Sequence, residues 1–100
     1  MKLIEALLVA AMLSASLFAQ GSGEVALRAA IETETVKGDI KDALRQYAEI
    51  AAKYAKSDRA TAVSALIHLA ECHEKMGDAE ARRIYEMVVK EYGDQKEAVA

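Results

Sequence analysis

The sequence GDAEARRIYEMVVKEYG, from Gly77 to Gly93, has the pattern of an amphipathic helix between two glycines. Its predicted apolar face consists of residues at helical spacing: Ala81, Tyr85, Val88, Val89 and Tyr92. A similar stretch, GDIKDALRQYAEIAAKY, begins at Gly38, and its Ala43 and Tyr47 recur as Ala81 and Tyr85 at an offset of 38 residues. Repeat distances of roughly 20 to 50 residues are typical of stacked helical units. The sequence therefore predicts two similar helical hairpins.

The composition favours a single small all-α domain. The chain has 100 residues, no proline and 53% hydrophobic residues, and good helix formers dominate it. Its net charge of −3 offers no basic surface for a phosphate backbone, so we expect no nucleic-acid partner. Cys72 is the single cysteine and cannot form an internal disulfide.

Residues 1–19 are predicted to be a signal peptide. Lys2 precedes an apolar run of 14 residues from Ala6 to Ala19. That run is shorter than the roughly 20 residues of a membrane-spanning helix. We expect residues 20–23 to form a linker, cleavage to follow Ala19, and the protein to be periplasmic or secreted. If uncleaved, the segment would be a membrane anchor, and we expect no other membrane contact.

Residues 24–93 are predicted to form two hairpins, 24–55 and 60–93, and residues 94–100 to begin a further helix. Gly38 and Gly77 are expected to end helices in a left-handed conformation, each followed by an aspartate that caps the next helix. Ser57 or Asp58 is the expected cap of the helix from about residue 60 to 76. One face of that helix is predicted to carry Val63, Leu66, Leu69, Ala70, His73 and Met76.

The second hairpin resembles a tetratricopeptide repeat. Leu66-x2-Leu69-Ala70-x2-His73 and then Ala81-x3-Tyr85 match the spacing of Trp-x2-Leu-Gly-x2-Tyr and Ala-x3-Phe. The first copy departs from that motif at Ile31 and Glu34, which stand where the family has a small residue and an aromatic one. The period, longer than the usual ~34 residues, resembles repeats of bacterial envelope proteins. The resemblance covers residues 24–93 and implies a short α-solenoid of stacked antiparallel hairpins. It implies packing roles for Leu27, Ala43, Tyr47, Leu66, Leu69, Ala70, Ala81 and Tyr85.

This resemblance implies a non-catalytic scaffold that binds a protein or peptide on the concave surface lined by the first helix of each hairpin. By alignment, that surface holds Val25, Arg28, Glu32, Thr35, Ser64, Ile67, Glu71, Glu74 and Lys75. The alternative that these are only solvated helix faces stays open, because mixed charge at helical spacing is common on exposed helices. Because about three repeats are usually needed for a continuous core, we also expect self-association, a partner, or a place in a larger envelope protein. A structural self-assembly module is the alternative function.

No catalytic, metal or cofactor site is predicted. His68, Cys72, His73 and Glu71 contain metal-binding groups, but helical geometry turns His73 about 100° away from Cys72. A structural zinc site uses four ligands, and the remaining pair of His68 and Cys72 is too few. We expect Cys72 to be a small buried side chain. The recurring tyrosines are expected to pack in the core rather than to form a binding strip.

Overall fold

The computed structural model describes residues 21–95. These residues form four helices: α1 over residues 21–35, α2 over Ile40–Lys53, α3 over Arg59–Met76 and α4 over Glu80–Glu91. No strand occurs in this range, which confirms the predicted all-α fold. The predicted signal peptide and residues 96–100 of the predicted further helix lie outside the described residues. Within residues 21–95, no helix is both long enough and apolar enough to cross a membrane.

The predicted helix ends at the first two glycines are confirmed, whereas the N-cap of α4 is Ala79 and not the predicted Asp78. Gly38 and Gly77 have φ values of +68° and +74°, the left-handed conformation that glycine adopts without a steric penalty. The Asp39 side chain accepts a hydrogen bond from the Asp42 amide at 3.1 Å and caps α2. Asp58 does the same for α3, because it accepts from the Thr61 amide at 3.2 Å. Local side-chain chemistry therefore sets where α2 and α3 begin.

The described part of α1 includes residues that were predicted to form a linker. Residues 21–23 were expected to belong to a linker, but they are helical, and Gly23 is buried. A Cβ atom at Gly23 would lie 2.8 Å from Asp58 Oδ2 and 3.1 Å from the Thr61 side chain. The glycine therefore allows α1 to approach the beginning of α3 closely, and this packing overrides the low helix propensity of glycine.

α1 and α3 run side by side in the same direction. Gly23 of α1 lies beside Thr61 near the beginning of α3, and near the ends of the two helices the carboxylate of Glu34 bonds the ammonium group of Lys75. α2 returns from α1, and α4 returns from α3. This arrangement of two antiparallel hairpins is consistent with a tetratricopeptide-like helical fold.

α3 is the central helix of the core. α2 and α4 each bury one narrow face, whereas the buried residues of α3 cover about half of its circumference: Thr61, Ala62, Val63, Ala65, Leu66, Leu69, Ala70 and Cys72. α3 packs against α2 and α4, and it contacts α1 through the close approach at Gly23 and the Lys75 ion pair. Both hairpins therefore share one core.

Two predicted core residues lie on the surface instead. Val89 is 60% exposed and Met76 is 45% exposed. The buried face of α4 is centred on Ala81, Ile84 and Val88, and Val89 is turned about 100° from Val88 around the helix axis. Met76 is the last residue of α3, where the chain turns away at Gly77.

Arg59, at the beginning of α3, connects this helix to the end of α4. The Arg59 guanidinium donates to Asp94 Oδ1 at 2.7 Å and to the Glu91 carbonyl at 2.9 Å, and it lies 4.6 Å from the centre of the Tyr92 ring. The hydrogen bond from Arg59 lowers the pKa of Asp94 to about 2. Asp94 lies in a turn that follows α4.

Candidate functional site: the outward surface of α1 and α3

The predicted partner-binding residues lie on the two parallel helices α1 and α3. Arg28, Glu32 and Thr35 are exposed on α1, and Val25 is 63% exposed. On α3, Glu71, Glu74 and Lys75 are exposed, whereas Ser64 and Ile67 are half-buried. On α1 these positions are three or four residues apart and so share one face, and the same spacing relates Ser64, Ile67, Glu71 and Glu74 on α3, with Lys75 one turn after Glu71. Their role in binding stays a prediction.

The two helices are joined by the buried carboxylate of Glu34, which stands where the repeat motif has an aromatic residue. The Glu34 side chain is 5% exposed. Glu34 Oε1 accepts a hydrogen bond from the Tyr47 hydroxyl at 2.7 Å, and Oε2 accepts one from Lys75 Nζ. Burial alone would raise the pKa of Glu34, but the hydrogen bonds from Lys75 and Tyr47 outweigh burial and hold this pKa below its usual value. Glu34 is therefore an ionised residue that connects α1 to α2 and α3.

Tyr47 occupies the centre of this cluster. Its side chain is fully buried, and its ring stacks on the His68 ring with centroids 5.1 Å apart and an interplanar angle of 13°. Burial, together with the adjacent Glu34 carboxylate, raises the pKa of Tyr47. The hydroxyl consequently stays protonated and donates to Glu34 throughout the physiological range.

Lys75 belongs to this internal cluster as well as to the predicted surface. Half of its side chain is exposed, but its ammonium group pairs with Glu34, which raises the pKa of Lys75. The charge that Lys75 would offer to a partner is thus largely compensated inside the protein. Its clearest contribution is to hold α3 beside α1.

The corresponding tyrosine of the second hairpin is less enclosed. Tyr85 is half-buried, whereas Tyr47 is fully buried. The neighbouring Glu74 carboxylate raises the pKa of Tyr85 to about 12. Each hairpin thus has a tyrosine near a carboxylate of its preceding helix, and α3 covers the first of these tyrosines through His68.

The predicted packing residues have different degrees of burial. Leu27 and Tyr85 are half-buried, and the others are buried: Ala43, Tyr47, Leu66, Leu69, Ala70 and Ala81.

The residues considered for metal binding or catalysis have other roles in the structure. Cys72 is fully buried, and burial, with a further contribution from Glu34, raises the pKa of its thiol to about 11. A thiol of this kind stays protonated and is a poor nucleophile. His68 stacks on Tyr47, and His73 Nδ1 lies 2.8 Å from Asp78 Oδ2. Residues 21–95 contain no group of three or more His, Cys, Asp or Glu side chains placed to hold a metal ion.

A family model described as tetratricopeptide repeat matches residues 64–95 of this chain. The matched segment covers most of α3 and all of α4, the hairpin in which the sequence motif is better preserved. Comparisons with curated proteins and with solved structures find no match. The family match supports a tetratricopeptide-like repeat protein, a class whose members generally mediate protein–protein interactions and are typically not catalytic.

Proposed function

We propose that this protein is a non-catalytic scaffold that binds a peptide, or an extended segment of a partner protein, on the outward surface of α1 and α3. The observation that carries the proposal is the cluster of Glu34, Tyr47 and Lys75, which fixes these two helices side by side. A surface that is already ordered loses little conformational entropy when a ligand binds. The family match to the second hairpin supports the same kind of role.

The chemistry of this surface suits a mixed rather than a purely apolar ligand. Arg28 and Glu32 on α1, with Glu71 and Glu74 on α3, offer charged groups of both signs. Ile67, half-buried one turn before Glu71 on α3, offers an apolar contact. Such a surface favours a peptide with an apolar side chain flanked by polar ones, because each part then finds a complementary group.

The test is selection from a random peptide library displayed on phage, with the full chain as bait, followed by calorimetric titration of the selected peptides. We expect Thr35→Arg and Glu71→Arg to weaken binding at least about tenfold, which corresponds to about 1.4 kcal/mol. Ala52→Arg is the matched control, because Ala52 is exposed on α2, outside the proposed surface. Equal losses in all three variants, or a library that yields no binding peptide, would contradict the proposal.

We also propose that the protein is exported to the periplasm or secreted, which rests on the sequence of residues 1–19 alone. Expression of the full chain in a bacterial host, followed by mass spectrometry of the envelope and medium fractions, provides the test. We expect a mature form that begins at Gln20. An intact chain that begins at Met1 and remains in the cytoplasm would contradict export.

A further inference from the structure

The protein has two open depressions, one on each hairpin. Through the internal repeat, each depression corresponds to one side of the contact between α2 and α3. The first depression is bordered by Ala26, Ala29 and Thr33 of α1 and by Gln46 and Ile50 of α2. The second depression is bordered by Ala81 and Tyr85 of α4 and by Ala79 and Glu74, and its surface is mainly apolar. The equivalent residues of the repeat pack against each other inside the protein, and they indicate which contact each depression could make with another helix.

The α1 side of the first depression matches the part of α3 that covers α2. In the alignment that pairs Leu27 with Leu66, each residue of α1 corresponds to a residue 39 positions later. Ala26, Ala29 and Thr33 then correspond to Ala65, His68 and Cys72. His68 stacks on Tyr47 of α2, and Ala65 and Cys72, which share its side of the helix, are fully buried. α1 therefore has the same stripe of positions, with alanine in place of His68, bordering an open depression.

The second depression matches the part of α2 that α3 covers. At an offset of 38 residues, Ala81 and Tyr85 correspond to Ala43 and Tyr47. Both residues of the earlier pair have no exposed surface, whereas Tyr85 is half-buried at the edge of the depression. α4 packs on α3, the preceding helix of its own hairpin, and Tyr85 borders the open depression on its other side. A single chain thus has both halves of a contact that it makes once internally.

We propose that copies of this protein associate head to tail, with α1 of one copy packed on α4 of the next in the way that α3 packs on α2. In this register Ala29 lies over the ring of Tyr85, as His68 lies over Tyr47. The two surfaces in the contact differ, so the interface is heterologous and leads to open chains of copies rather than closed dimers.

Both depressions have more carboxylates than cations at their edges. Glu32 and Glu49 stand beside Lys37 at the first, and Glu74, Asp78 and Glu86 stand beside Arg82 at the second. These edges repel each other weakly, and added salt screens that repulsion. The association should therefore strengthen as ionic strength rises.

The experiment is sedimentation velocity on the full chain across the micromolar range. Ala29→Arg places a long charged side chain in the first depression, and Ala79→Arg does so in the second. Both alanines are exposed, and Ala79 makes no side-chain cap, so the fold should be kept, and circular dichroism checks this. We expect each variant to weaken association at least about tenfold, because the interface would bury an unpaired charge. Ala52→Arg on α2 is the matched control and should associate like the wild type.

The decisive sample is an equimolar mixture of the Ala29→Arg and Ala79→Arg variants. One variant keeps an intact second depression and the other an intact first depression, so the mixture should form dimers and nothing larger. A wild-type chain that is monomeric throughout would overturn the proposal. Variants that associate as strongly as the wild type, or a mixture that stays monomeric, would also overturn it. The salt dependence of wild-type association is a further measurement that needs no variant, and a decrease with added salt would count against the proposed contact.

Discussion

Replacing Tyr47 by phenylalanine removes one hydroxyl group from the centre of the protein and leaves the rest of the side chain in place. The ring can still stack on His68, and no cavity larger than the hydroxyl is formed. The substitution affects Glu34, because its Oε1 loses the hydrogen bond from the Tyr47 hydroxyl, which lies 2.7 Å away. Lys75 remains bonded to Oε2, so the carboxylate stays ionised but is left with one fewer partner in a nearly water-free position.

The expected loss follows from the charge on the acceptor. A hydrogen bond to a charged group contributes roughly 1.5–3 kcal/mol to stability, about twice that of a neutral pair. Since the Glu34 side chain is 5% exposed, water cannot readily replace the lost donor. We therefore expect Tyr47→Phe to lower the free energy of unfolding by about 2 kcal/mol, a large part of the roughly 5–15 kcal/mol of a typical domain.

Urea denaturation followed by far-ultraviolet circular dichroism measures this loss, with an unchanged slope as the check for two-state unfolding. Tyr54→Phe is the matched control: Tyr54 is buried, and its hydroxyl makes no hydrogen bond with the side chains of residues 21–95. Folding lowers the pKa of Glu34, so its contribution is fully present above the ordinary value of 4.5 and is lost as the pH falls through the lower folded-state value. The gap between wild type and Tyr47→Phe should shrink in that acidic window. A loss below about 0.5 kcal/mol, the range of a neutral surface substitution, would refute the reasoning, as would a loss equal to that of Tyr54→Phe.

Three further predictions use thermal or urea unfolding of single variants. Tyr47→Ala should lower the free energy of unfolding by about 3–5 kcal/mol, as expected for a fully buried aromatic residue. Tyr85→Ala should lower it clearly less, because that ring is half-buried. Equal losses would contradict the difference in burial. Gly77→Ala should destabilise by about 1 kcal/mol because φ is +74°, whereas Gly21→Ala, in open space on α1, should be neutral or stabilising. Gly23→Ala should cost about 1–3 kcal/mol through crowding, and a melting temperature as high as that of the wild type would argue against the close approach of α1 and α3.

The parts of the fold that could be predicted from the sequence depend on neighbouring residues. Gly38 and Gly77 end helices through their own backbone conformation, and Asp39 and Asp58 cap helices through amides three residues away. Such helix-boundary patterns involve only a few consecutive residues. The spacing of Ala43 and Tyr47, repeated later in the chain, was likewise sufficient to indicate two hairpins.

The parts that could not be predicted depend on contacts between distant residues. Gly23 resembled a linker residue because its packing partners, Asp58 and Thr61, come more than thirty residues later. Glu34 stood out only as a misfit to an aromatic position, since its partners are 13 and 41 residues away in the sequence. The exposure of Val89 could not be separated from the burial of Val88 by residue type alone, because both are valine.

The central position of α3 also determines how the protein unfolds. Separating either hairpin uncovers part of the wide buried face of α3, which includes Val63, Leu66 and Cys72. The two hairpins are therefore expected to unfold together as one cooperative unit, unlike long repeat arrays in which end units fray independently. Amide hydrogen exchange would show this as a single slow class that includes α3 and the faces of α2 and α4 that pack on it.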